Sequence, residues 1–193
     1  MEQHHLSRAG ELLLRYGPKS ITMDDIASQL GISKKTIYQE FANKQEIIEH
    51  VVNQSITQFR TDAAEGKNQA ANAIDEVYLL NEKIIGITGL VKVGFATEMS
   101  KYYPETWSNL ELRWNNQMLG IVTANLDRGI TEQLYRPELD KSFIAMIRFR
   151  QTRSVLNGES VRPENTDDTT YLNKLTEFYL QAIATEQGRL LIK

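Results

Sequence analysis

Apolar residues recur at three- and four-residue intervals along nearly the whole chain of 193 residues, and no stretch alternates as a half-buried strand would. That period gathers the apolar side chains on one face of a helix, so the fold class it imposes is all-α. Leu6, Ala9, Leu13 and Tyr16 form a first stripe, ended by Gly17-Pro18. Thr22 is placed to cap a short second helix from Met23 to Leu30, with Asp24 and Asp25 at the positive end of its dipole. Gly31 breaks that helix, Ser33 caps a third running to about Gln39, and a fourth starts near Lys44 and continues past Phe59. Beyond it, longer helices are divided by expected breaks at Glu65-Gly66, at glycines 86, 89 and 94, at Tyr103-Pro104, at Arg136-Pro137 and across residues 157 to 168.

Composition narrows the chemistry. A hydrophobic content of 41% is enough for one large core or two smaller ones, and no window has the roughly 18 unbroken apolar residues of a membrane span. The start, Met1 to Leu6, lacks the basic and apolar regions of a secretory signal, so a cytoplasmic protein is expected. The absence of cysteine excludes disulfides, thiolate nucleophiles and cysteine-based zinc sites. His4, His5 and His50 have no metal-ligand spacing with nearby carboxylates, so neither a metal nor a cofactor is expected. Glycines 86, 89 and 94 do not make a phosphate loop, because no strand precedes them and no Gly-Lys-Ser/Thr follows. Asp167 and Asp168 are expected to cap a helix rather than form an acid–base pair.

The formal charge is −3, which would argue against a polyanionic partner if it were evenly spread. Residues 1 to 46 instead carry six basic and six acidic residues and sum to zero, so any contact with nucleic acid must come from local clustering. Such a cluster lies in the third helix. Ile26, Leu30, Ile32, Ile37 and Phe41 supply a shared core for two short helices joined by a tight turn, Ala27 allows a close crossing, and Gly31 suits a left-handed turn residue. This is the spacing of a helix-turn-helix whose second helix enters the major groove. At about 100° per residue, Ile37 and Phe41 face inward while Gln39, Lys35 and Thr36 share the outward face. Gln suits adenine, Lys suits guanine and Thr offers a hydroxyl or a methyl, so these three are the base-reading candidates. Lys34 and Tyr38 on the flank, and Thr22 and Lys44 at neighbouring helix starts, are candidates for phosphate contacts.

Residues 6 to 47 resemble the TetR family of bacterial regulators. The resemblance is carried by Tyr16-Gly17, Ile21-Thr22, Ile26-Ala27, Gly31-Ile32-Ser33, Thr36-Ile37-Tyr38, Phe41 and Lys44-Gln45-Glu46. It implies DNA contacts at Thr22, Ser33, Lys34, Lys35, Thr36, Tyr38, Gln39 and Lys44, whereas Glu40 departs from the family, which often has an aromatic, His or Asn there. It also implies an N-terminal three-helix DNA-binding domain, here residues 1–48, followed by a helical effector-binding and dimerisation domain, residues 49–193.

In the second part, Trp107, Leu110, Trp114, Met118 and Ile121 form one long stripe, so this helix is the first choice for a pocket wall. Phe59, Tyr78, Phe95, Met99, Tyr103, Trp107, Trp114, Met118 and Phe149 are the candidates for lining a ligand cavity, with ordinary core packing as the alternative for each. The stripe Tyr171, Leu175, Phe178 and Ala182, widened by Tyr179 and joined by Phe143 and Ile147 on another helix, is the candidate homodimer interface. The reading is a ligand-responsive transcriptional regulator, a repressor released from double-stranded operator DNA by a small-molecule effector. A helical small-molecule-binding enzyme and a protein-interaction module without DNA binding are the alternatives. Against an enzyme stand the absent cysteine, the lack of a His–carboxylate constellation and the lack of a nucleotide fingerprint.

Overall fold

The computed structural model describes residues 3–88 and 94–193, apart from the side chains of residues 3–6. The described residues form ten α-helices: α1 Gln3–Tyr16, α2 Met23–Leu30, α3 Lys34–Glu40, α4 Lys44–Gln69, α5 Ala73–Thr88, α6 Phe95–Tyr102, α7 Pro104–Thr131, α8 Lys141–Leu156, α9 Asp168–Ile183 and α10 Glu186–Arg189. They contain no β-strand. A single antiparallel bridge joins Tyr135 to Ala184.

Local chemistry explains most of the boundaries. Asp140, Asp167 and Thr185 each cap the following helix by accepting a backbone N–H three residues on. Of the two aspartates expected as caps, Asp167 takes the capping position; Asp168 is the first residue of α9 and pairs with Arg162.

The breaks expected at Glu65-Gly66 and Gly86 do not occur, since α4 runs on to Gln69 and α5 to Thr88. A lone glycine inside a helix costs only about 1 kcal/mol relative to alanine, which tertiary contacts offset. The break after α4 falls at Asn72, whose Oδ1 accepts the N–H groups of Ile74 and Asp75. Gly94 does precede a helix, in a left-handed conformation at φ +87°. Gly89 lies outside the described residues.

Two compact units emerge. The first comprises residues 1–59 and 90–114, the second residues 60–89 and 115–193. In the first, Ala9, Leu13, Ile26, Ile37, Ile47 and Ile48 are almost wholly buried and share a core with Phe95, Met99 and Leu110. The helix-turn-helix is therefore braced by α1 and α4, and also by α6 and the start of α7. In the second unit, Ala73, Ile74, Leu126, Leu180 and Ile183 form the core around Tyr135. The Tyr135 hydroxyl shares its one proton between the Ala73 carbonyl and Asn125 Oδ1, each at 3.1 Å. Arg128 fastens the α4–α5 connection by donating to the carbonyls of Lys67 and Ala70 and to the carboxylates of Glu76 and Glu132.

Candidate nucleic-acid interface

The segment from Thr22 to Phe41 is set by a sequence of local bonds. Thr22 Oγ1 accepts the Asp25 N–H while the Asp25 carboxylate accepts the Thr22 N–H, a capping box that satisfies donors at the start of α2. The Thr22 hydroxyl, donating to Asp25 Oδ2 at 2.6 Å, and then the Thr22 N–H, donating to the same oxygen at 2.9 Å, hold the Asp25 carboxyl below its ordinary range. Gly31, at φ +69°, ends α2, and the Ile32 N–H closes back on the Ala27 carbonyl at 3.1 Å. No atom lies within 4 Å of a Cβ built on Gly31, so its requirement is for the left-handed backbone rather than for space. Ser33 then caps α3 by accepting the Thr36 N–H.

On α3, Ile37 is completely buried and Phe41 packs against the same core. Lys34, Lys35, Tyr38, Gln39 and Glu40 are exposed, and Thr36 is half-buried. The three base-reading candidates thus share the solvent side of a helix whose opposite side is anchored. Tyr38 is 51% exposed, which takes it out of core packing and leaves its phenol on the flank.

Several candidates already have partners. Lys34 pairs with Asp24, and this hydrogen bond raises its pKa. Thr36 and Ser33 share a hydroxyl–hydroxyl bond at 2.8 Å. Lys44, expected to offer its ammonium to a phosphate, is half-buried and donates to the Ile21 carbonyl at 2.7 Å. Burial, the largest effect on it, lowers its pKa despite the nearby Asp25 and Glu98. Lys44 therefore ties α4 to the segment preceding α2. Lys35 has no ion-pair or hydrogen-bond partner among the described residues, which makes it the readiest cation on this face.

The aromatic and methionine candidates for a cavity wall fall in both units. In the first, Phe95 and Met99 are core, Tyr103 and Trp107 pack against that core, and the rings of Phe59 and Trp114 meet at a tilt of 55° with centroids 5.0 Å apart. In the second, Met118 and Phe149 are buried and Tyr78 packs on the core. Two small cavities in the second unit, of about 10 and 20 Å³, are lined by none of these nine. They are lined chiefly by α5 and α7, with Asp62, Ala63 and Gly66 of α4 at one and Arg148 and Tyr179 at the other. Periodicity alone did not single out Arg148, although it stands on the same stripe of α8 as Ala145, Phe149, Thr152 and Val155.

The dimer candidates divide cleanly. Phe143 is 53% exposed, Ile147 37% and Phe178 66%; Ala182 is exposed, and Tyr171 and Leu175 are half-buried. Tyr179, expected with them, instead points into the core of the second unit beside Leu180 and Ile183. The reason is that α9 carries two apolar stripes, an inner one through Leu172, Thr176, Tyr179 and Ile183 and an outer one through Tyr171, Leu175, Phe178 and Ala182. No helix among the described residues is long and apolar enough to cross a membrane.

Comparison with known proteins agrees with this geometry. Residues 6–51 match the family model described as bacterial regulatory proteins, tetR family. An uncharacterized HTH-type transcriptional regulator, YvaF, from Bacillus subtilis (strain 168) is 28% identical over 112 residues, and the match spans 58% of each chain. A transcriptional regulator of the TetR family from Agrobacterium tumefaciens has a similar fold, with a TM-score of 0.76 at 18% identity, covering 94% of this chain and 96% of that one. FadR from Bacillus subtilis, solved in complex with stearoyl-CoA, has a TM-score of 0.69 at 18% identity, covering 94% of this chain and all of its own.

Proposed function

We propose that the chain, whose residues 6–51 match the tetR family of bacterial regulatory proteins, is a TetR-family regulator and acts as a cytoplasmic homodimeric repressor that leaves operator DNA when a small molecule enters its second unit. The observation that carries this reading is the solvent side of α3, where Lys35, Thr36 and Gln39 stand together while Ile37 anchors the helix beneath them. We assign Lys35 and Gln39 to base edges, with Thr36 beside them, and Lys34 and Tyr38 to phosphates. Thr22 and Ser33 contribute through the helix starts they cap, where free N–H groups and the dipole attract a phosphate. Lys44 acts here by holding the start of α4 in place rather than by an open ammonium.

One helix-turn-helix covers too few base pairs for useful selectivity, so two copies about 34 Å apart on successive turns of the duplex are required. The outer stripe of α9, with Phe143 and Ile147 of α8, supplies the apolar surface for a two-fold four-helix interface. Residues 1–48 act as the reading head and the remainder as the effector and dimerisation part, with α4 contributing residues to both compact units. The effector releases DNA by binding better to the state in which the reading heads are wrongly spaced. A coupling of about 1–3 kcal/mol weakens operator binding roughly 5- to 150-fold. The stearoyl-CoA complex of FadR, a protein of the same fold, supports ligand responsiveness.

A mobility-shift assay on the DNA flanking the protein's own gene tests the reading. Sequence-selective, salt-sensitive retardation is expected; none at low salt would refute it and favour an interaction module or an enzyme.

A further inference from the structure

Arg148 is 5% exposed, yet no carboxylate among the described residues pairs with it. Its Nη2 donates to Thr176 Oγ1 at 2.8 Å, and its guanidinium lies 5.1 Å from the centre of the Tyr179 ring. Behind that bond the partners are fixed, because the Thr176 hydroxyl also contacts Asn81 Oδ1 and the Leu172 carbonyl, each at 2.8 Å. Nη1 of Arg148 and the hydroxyl of Tyr179 are both buried with no hydrogen-bond partner. Burial lowers the guanidinium's pKa to about 10, so it stays charged at neutral pH. A buried cation without a counter-ion is costly and calls for an anion.

Both unpaired groups belong to residues that line the cavity of about 20 Å³, together with Val77, Leu80 and Val122. Glu76, the carboxylate in that lining, is already engaged by Arg128 at 2.8 Å. The second cavity, of about 10 Å³, shares Glu76 and Leu80 with the first and adds the apolar Leu79, Ile121 and Ala63 beside Gly66 and the charged Asp62 and Lys83. As they stand, these spaces hold groups the size of a water molecule. Leu80, half-buried, is the apolar side chain common to both linings.

We propose that Arg148 and Tyr179 form the headgroup site for an effector with a carboxylate at one end and an apolar body. Nη1 and the Tyr179 hydroxyl donate to the carboxylate oxygens, and the hydrocarbon displaces Leu80 and lies against Val77, Val122 and Ile121. The inference deepens the regulatory reading by naming the chemistry of the effector, and it rests on that reading.

Isothermal titration of the full-length protein, without DNA, against dodecanoate, 1-dodecanol and acetate tests it. Dodecanoate is expected to bind saturably and at least about tenfold more tightly than the alcohol, as a hydrogen-bonded charge pair requires. Acetate is expected to bind far more weakly. Arg148→Met should abolish the preference for the carboxylate, and Tyr179→Phe, which keeps the ring, should weaken it while leaving the melting temperature near that of the parent. Equal binding of acid and alcohol, no binding of dodecanoate, acetate binding as well as dodecanoate, or a preference that survives Arg148→Met overturns the proposal. Should Arg148→Met fail to fold, the parent's acid-to-alcohol ratio and Tyr179→Phe still decide. A protein that retards DNA but ignores carboxylates loses this inference alone; one that binds carboxylates but no DNA loses the regulatory reading.

Discussion

The pair with Asp24 competes with a phosphate for the Lys34 ammonium, and Asp24→Asn isolates that competition. The two side chains are 68% and 51% exposed, so water and salt screen their attraction and the pair is easily exchanged. Removing the carboxylate frees Lys34 and takes a negative charge away from the duplex. For an exposed pair, the gain in operator affinity is about 1.4- to 5-fold at low salt. If the parent complex leaves Lys34 on Asp24, one more phosphate contact also steepens the plot of log affinity against log salt by about 0.9. Fluorescence anisotropy of a labelled operator duplex, titrated at several salt concentrations, reads both quantities. The variant also loses a favourable charge in the first turn of α2, so its fold is checked by its melting curve. Lys34→Ala in the Asp24→Asn background must cancel the gain. If the gain survives without Lys34, Asp24 acts only as a repulsive charge and the assignment of Lys34 to a phosphate is refuted.

Gly129→Ala places a Cβ 2.0 Å from Tyr135 Cδ2, so the ring and its two hydrogen bonds must shift. Set against a gain of about 1 kcal/mol in helix propensity, overpacking and strained bonds should leave a net loss of about 2–3 kcal/mol, read by urea unfolding at fixed protein concentration. Thr22→Ala breaks the capping box and should cost about 1 kcal/mol in the same assay. Because the folded state depresses the Asp25 pKa, the capping contribution is fully present above the ordinary aspartate value of 3.8 and is lost as pH falls through the lowered folded value. Thr22→Ala should therefore flatten the acid limb of the stability profile. Phe178→Glu puts a charge on the outer stripe of α9 and should yield monomers in sedimentation, with operator affinity falling in parallel.

The reading head was legible because its punctuation is local. Thr22, Gly31 and Ser33 act on atoms within five residues, and α2 and α3 begin and end where those residues place them. Gly66 misled for the converse reason, since α4 crosses it with its ladder intact and the signal that mattered was Asn72. Lys44 carries no mark of its bond to Ile21, which spans 23 residues and exists only once the α1–α2 connection lies beside the start of α4. On α9, periodicity found one broad apolar face where the fold has an inner and an outer stripe, because a buried face and an exposed apolar face draw on the same residue types. Arg148 stood in plain view, but Arg150 and Arg153 follow it on the same helix, and spacing alone did not tell which of these charges had joined the buried stripe.

Operator binding by Gln39→Ala, measured across a set of duplexes that each change one base pair, tests most directly whether α3 reads sequence from the major groove. The account predicts that the variant loses discrimination at one position in each half-site, by roughly 5- to 150-fold, while its salt dependence stays that of the parent. A uniform loss across all duplexes, or preferences unchanged at every position, would contradict it.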